Sequence, residues 1–208
     1  MRNTTRLSMS YSLIFLAALT AAGCMGTSPP AAFFTLSALP ATEMESSAHT
    51  AMQDLAIGIG PAKFPEILNR PQIITRSGPN RLTVSEFHRW GGRLDQDFLK
   101  VLAQNISILL ATNRVVAFPW EDQVDPTYRI AFDIQQFDGR PGDAVWLNVT
   151  WTIKGQEGNQ ALYVSKSVIQ QPVQGETYDA LVAAHSQALD VLSREIAAAI
   201  KSITPIER

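Results

Sequence analysis

Large apolar residues recur at alternate positions through three stretches of the C-terminal half: Ile130, Phe132 and Ile134; Val145, Leu147, Val149, Trp151 and Ile153; Leu162, Val164 and Val168. A side-chain period of two is that of a β-strand with one buried face. The residues between them are largely Asp, Gln, Asn, Thr, Ser and Lys, so the opposite face meets water. That is the pattern of an antiparallel sheet rather than of a parallel sheet covered on both sides. The segment "DGRPGD", Asp138 to Asp143, has the composition of a hairpin turn between the first two strands.

The remaining elements follow from the same kind of periodicity. Leu55, Ile57 and Ile59 alternate with Ala56, Gly58 and Gly60 in a further strand, whose end is flanked by Pro61 and Pro65. The runs "QIITRS" and "RLTVSEF" lie on either side of a turn at Gly78–Asn80, with Leu82 and Val84 on one face. "FFTL", Phe33 to Leu36, is a short strand followed by a polar loop from Ala41 to Asp54. Leu94, Phe98, Val101, Leu102, Ile106 and Leu109 are spaced for a helix over about Leu94–Ala111. Asp95 and Asp97 suit its first turn, and Asn113 is the expected left-handed terminator. A last helix is expected over about Tyr178–Ser202, capped by Thr177 and stopped by Pro205. Its inner stripe carries Leu181, His185, Ala188, Leu192, Ile196, Ala199 and Ile200. The fold class is therefore α+β, a mostly antiparallel β-sheet with two long amphipathic helices packed on one face.

The single cysteine, Cys24, lies in "LTAAGCMG" near the N-terminus. Before it come Arg2 and Arg6 and then an apolar run from Leu7 to Leu19, about a dozen residues against the roughly 20 of a membrane-spanning helix. Ala22 and Gly23 are the small residues of a cleavage site, and the cysteine after them completes a lipobox. Ala21 stands where such motifs most often carry leucine. The alternative is an ordinary signal peptide beside a free thiol, which is reactive in an oxidising compartment and has no second cysteine to pair with. Acylation of Cys24 on sulfur and amine would supply more than one chain, enough for stable anchoring. Lipoproteins that this stretch resembles are retained in the inner membrane mainly when aspartate follows the cysteine; Met25 stands there instead, so the resemblance implies the outer membrane, with the protein facing the periplasm. The expected organisation is residues 1–23 as lipoprotein signal peptide, 24–32 as flexible tether ("MGTSPPAA" after the cysteine) and 33–208 as a single periplasmic domain.

Removal of the signal leaves about 185 residues, enough for one sizeable core. It also removes two arginines and no acid, taking the net charge from −2 to about −4. A mildly acidic chain with no basic block is a poor nucleic-acid binder. Chemistry is sparse. His49, His88 and His185 have no second histidine or cysteine at ligand spacing, so no metal or other cofactor is expected. "SEFH" gathers Ser85, Glu86 and His88, but a strand would point Ser85 and His88 to opposite faces, against a nucleophile and base pair. "IGIGP" is followed by prolines rather than a capped helix, unlike a phosphate loop. His185 reads as a histidine at the edge of the core.

What stands out is the stretch from Leu68 to Leu94, which concentrates Arg70, Arg76, Arg81, Arg89 and Arg93 with Trp90. Arginine and tryptophan are enriched where proteins dock, and a hairpin edge can accept a strand. The bland alternative is that these arginines pair with Glu86, Asp95 and other local acids on a solvated surface.

The same stretch carries a family resemblance. Ile59-Gly60-Pro61, Pro65, Leu68, "RPQI" (Arg70–Ile73), Thr75-Arg76, Asn80, Leu82 and "FHRW" (Phe87–Trp90) match, as do Leu94, Leu102 and Arg114-Val115. Further on, "FPW" (Phe118–Trp120), Tyr128, "FDGRPG" (Phe137–Gly142) and Trp151 fit too. With these residues the chain resembles the ABC-type transport auxiliary lipoproteins of the PqiC type. The resemblance implies an outer-membrane lipoprotein without catalysis. Its partner would be a mammalian-cell-entry (MCE) domain protein anchored in the inner membrane, in a system that moves lipid across the periplasm and maintains envelope integrity. Arg70, Arg76, Arg81, His88, Arg89 and Trp90 are the expected docking residues, and a ring-shaped homo-oligomer would match the symmetry of MCE rings. The other readings are a periplasmic lipoprotein that binds lipid between helices and sheet, and a periplasmic hydrolase.

Overall fold

The computed structural model describes residues 29–43, 52, 54–120, 125–156 and 160–204. The chain divides into two units, Met1–Pro30 and Ala31–Arg208, and of the first only Pro29 and Pro30 are described. Cys24 and His49 lie outside the described residues, as do the expected signal peptide and most of the tether.

The unit from Ala31 onward is an α+β fold. Its strands are β1 (Ala32–Phe34), β2 (Ile57–Lys63), β3 (Gln72–Gly78), β4 (Arg81–Trp90), β5 (Val115–Ala117), β6 (Tyr128–Gly139), β7 (Ala144–Gly155) and β8 (Ala161–Pro172). Its helices are α1 (Leu94–Leu110) and α2 (Tyr178–Ile203). All eight strands join one mixed sheet. The longest pairings, β6–β7 and β7–β8, and the hairpin β3–β4 are antiparallel. Parallel pairs bring in the short strands: β1 on β4, β5 on β2, and β2 on β6, with one parallel bridge from β3 to β6.

Registry in β6–β7 follows the alternating apolar residues. Ile130 pairs with Ile153, Phe132 with Trp151 and Ile134 with Val149, and all six are buried. The helices cover this face. Phe98, Leu102 and Ile106 of α1 are fully buried, each worth about 1.5–3 kcal/mol of transfer free energy. Phe98 sets its edge against the rings of Phe132 and Phe137, with centroids at 5.8 and 5.6 Å. Between the helices the buried Asn105 is satisfied on both sides: it donates to Ser193 Oγ at 3.1 Å and accepts the Leu39 N–H at 2.8 Å.

Three local expectations are corrected. On β8 the apolar residues Leu162, Val164 and Val168 face outward and are 50, 61 and 71% exposed. The pairing with β7 decides this, because it sets Ser165 opposite Trp151, Ser167 opposite Val149 and Ile169 opposite Leu147. Small inward residues leave room for the Trp151 indole, whose N–H donates to Ser167 Oγ at 2.9 Å, and Ser167 in turn donates to Glu195 of α2.

The left-handed residue ending α1 is Ala111 (φ 49°, ψ 43°), not Asn113. Buried Thr112 fixes the stop there by donating to the Leu55 carbonyl and accepting the Arg114 N–H. In β4, four residues, Ser85 to His88, stand opposite Ile73 alone, since Val84 pairs with Ile74 and Arg89 with Gln72. This bulge brings Ser85 and His88 to the same side, where a regular strand would have separated them.

Candidate functional site

β3 and β4 run side by side, so the arginines between Leu68 and Leu94 are dealt to opposite ends of a hairpin. Arg70 precedes the start of β3 and Arg81 follows its far turn, roughly 20 Å away at the rise of a strand. Both are exposed and without an ion-pair partner among the described residues. Arg76, between them, is occupied. Its Nε and Nη2 donate to the two oxygens of buried Asp138 at 3.0 and 2.7 Å, and its Nη1 to the Pro79 carbonyl at 3.0 Å. These bonds to Asp138 raise the Arg76 pKa further above its ordinary value. A bidentate pair of this kind fastens β3 to β6.

Trp90 is 5% exposed and sets its ring at 5.7 Å from buried His185, so it is a core residue rather than an exposed anchor. His88 stacks on Tyr178 at the start of α2, centroids 3.7 Å apart and rings within 7° of parallel. Its Nδ1 lies 2.9 Å from Ser85 Oγ, which also accepts the His88 backbone N–H at 3.2 Å. That pair has the composition of a nucleophile and base, but the serine is 8% exposed and no carboxylate of the described residues bonds the imidazole. Its work is to lock the bulge and tie β4 to α2. Arg89 reaches the Glu86 carbonyl at 3.5 Å, while its Nε is buried without a partner among the described residues. The six expected docking residues therefore do not form one patch; Arg70 and Arg81 are its exposed cations.

Arg70 instead borders a groove of about 570 Å³. Its floor is apolar, from Phe64, Leu68, Trp90 and Leu94, and its rim carries Glu66, Arg70, Arg93 and Asp95. The backbone builds it tightly: the Trp90 N–H donates to the Pro71 carbonyl and the Gly91 N–H to the Phe34 carbonyl, both at 2.7 Å. Arg93 and Asp95 neutralise each other at 2.6 Å, which lowers the Asp95 pKa and raises that of Arg93. A second depression of about 320 Å³ shares Gly91, Gly92 and Arg93 and ends at Lys100. Sequence reasoning pointed to Arg70 and Trp90 but missed Phe64, Glu66, Leu68 and the glycine pair as their companions. The visible signal was Gly91-Gly92 directly after a strand that ends in tryptophan.

The sequence model of a family described as ABC-type transport auxiliary lipoprotein component matches residues 34–197, a span that includes the whole groove. The chain belongs to that family. As an ABC-type transport auxiliary lipoprotein it is a component of a transport system with partners in that system, in a membrane-anchored, envelope location; the family is not one of known enzymes. Two solved structures are similar in fold. One, titled as an uncharacterised protein, superimposes with a TM-score of 0.65 at 18% identity, covering 83% of this chain and 99% of its own. The other, a Xanthomonas campestris protein of the DUF330 family, gives a TM-score of 0.63 at 16% identity, covering 83% and 100%. No curated protein matches. The fold is thus shared at low sequence identity.

Proposed function

We propose that this auxiliary lipoprotein is anchored through acylated Cys24 to the periplasmic face of the outer membrane. There it serves a lipid-transport system that spans the periplasm and supports envelope integrity. It docks the distal end of an MCE-domain protein held in the inner membrane, and it does so without catalysis. Family membership across residues 34–197 carries the reading, and the lipobox at Cys24 supports the anchor. Docking centres on Arg70 and the groove it borders, since Arg76, His88 and Trp90 are engaged within the fold. A ring of copies is part of the proposal; the outward row Leu162, Val164 and Val168 on edge strand β8 supports self-association.

Purification from detergent-solubilised envelopes tests this. The wild-type chain is expected to bring down the MCE-domain protein, and intact mass is expected to show a di- or triacylated Cys24. An unmodified thiol, with the protein free in the periplasmic extract, overturns the anchor. A complex lacking the MCE-domain protein overturns the partner. Lipid extracted from the purified protein would instead select the reading in which the domain holds lipid itself.

A further inference from the structure

Gly91 and Gly92 lie between the two depressions, and neither has a left-handed φ. Among the described residues, a Cβ on Gly92 would meet nothing within 4 Å, and one on Gly91 would meet only the Phe34 carbonyl oxygen at 3.4 Å. Neither backbone conformation nor internal space demands glycine here. The missing side chains leave a shallow saddle that joins the depressions into one trough, over which another backbone could lie.

The groups along the trough describe what fits it. Asp95 is satisfied by Arg93, and Asp97 accepts the Thr35 hydroxyl and the Leu36 N–H at 2.9 and 2.8 Å. Among the described residues, Arg70 near one end and Lys100 at the other have no side-chain partner, and neither has Glu66, which lines the same depression as Arg70. An occupant that carries acceptors meets two cations here, and one that carries a donor meets a carboxylate. On the floor, Leu68, Trp90 and Leu94 expose only 6, 5 and 4% of their surface, so the apolar strip suits one large side chain and not a pair of acyl chains.

We infer that the trough binds an extended polypeptide segment of a partner protein. The segment lays its backbone across Gly91-Gly92, places a large apolar side chain over Trp90 and Leu68, and sets an acidic residue against Arg70. This rests on the reading of the chain as a docking subunit, and it adds the chemistry of what is docked.

Selection from a displayed library of random decapeptides on the purified full chain in detergent tests it with no MCE protein present, so failure here and failure of the co-purification above are separate results. Enriched peptides are expected to carry Phe, Trp, Leu or Ile beside Asp or Glu. Synthesised and measured by fluorescence polarisation, they are expected to lose about tenfold in affinity on Arg70→Glu and more on Gly92→Trp. Selection repeated on Arg70→Glu is expected to exchange the acidic preference for Lys or Arg. Thermal unfolding like that of the parent shows that each variant is folded, and the exposed Arg70→Glu serves if Gly92→Trp is not. Failure to enrich any sequence, or binding indifferent to both substitutions, overturns the proposal. Co-purified phospholipid that is lost on Gly92→Trp would also overturn it, in favour of a lipid site.

Discussion

His185 is enclosed between Trp90 and Phe137, with its Nδ1–H donating to the Leu181 carbonyl at 2.8 Å. Burial drives its pKa down to about 4, against weaker support for the cation from the Leu181 carbonyl and Asp138. The unfolded chain takes up this proton near pH 6.5, so between pH 6.5 and about 4 the unfolded state binds a proton that the native state refuses. Stability is expected to fall through that window as pH drops, by up to about 3 kcal/mol, and His185→Leu is expected to flatten the slope in urea titrations taken at several pH values. Arg76 carries a different prediction. Truncation to alanine strands the Asp138 carboxylate in the sheet and is expected to cost roughly 3 kcal/mol by denaturant unfolding, with lysine restoring only part because it cannot span both oxygens. Arg70→Glu, which touches no described partner, is expected to leave the same midpoint unchanged.

At the scale of elements, the strands and helices expected from periodicity all formed, and their termini moved by only a few residues. What periodicity could not settle was facing and local count. β8 offered Leu162, Val164 and Val168 as an apparent core face, yet registry with β7 turned them outward. Val164→Ser and Val168→Ser are accordingly expected to change stability by less than about 0.5 kcal/mol each, whereas Ile169→Ala, on the inner face, is expected to cost about 3 kcal/mol in the same measurement. In β4 the bulge undid a parity argument: Ser85 and His88, three apart, meet because the chain folds extra residues between two paired positions. Such irregularities depend on the partner strand, which a single run of sequence does not contain.

At the scale of the molecule, the unit beginning at Ala31 holds every described core residue. A chain starting there is expected to unfold in one cooperative transition within about 2 °C of the mature protein. Starting after Ser37 instead removes β1 and Leu36, whose N–H is held by Asp97 and whose side chain is 5% exposed. That deletion is expected to lower the midpoint by about 5–10 °C. The groove is a property of this scale too, since it needs the ends of β2 and β4, the segment between β2 and β3 and the first turn of α1 together.

The sequence by itself determined the α+β class, the two amphipathic helices and the alternating β6 and β7, because each of these is written in spacings between neighbours along one chain; the family was legible separately, as a resemblance carried by a set of motifs. Tertiary structure alone decided which face of β8 is wet, that Arg76 and Trp90 serve the fold, and that Arg70 borders a trough across Gly91-Gly92. Those outcomes depend on which distant residue fills the space or pairs the charge, and that is set only when separate elements pack.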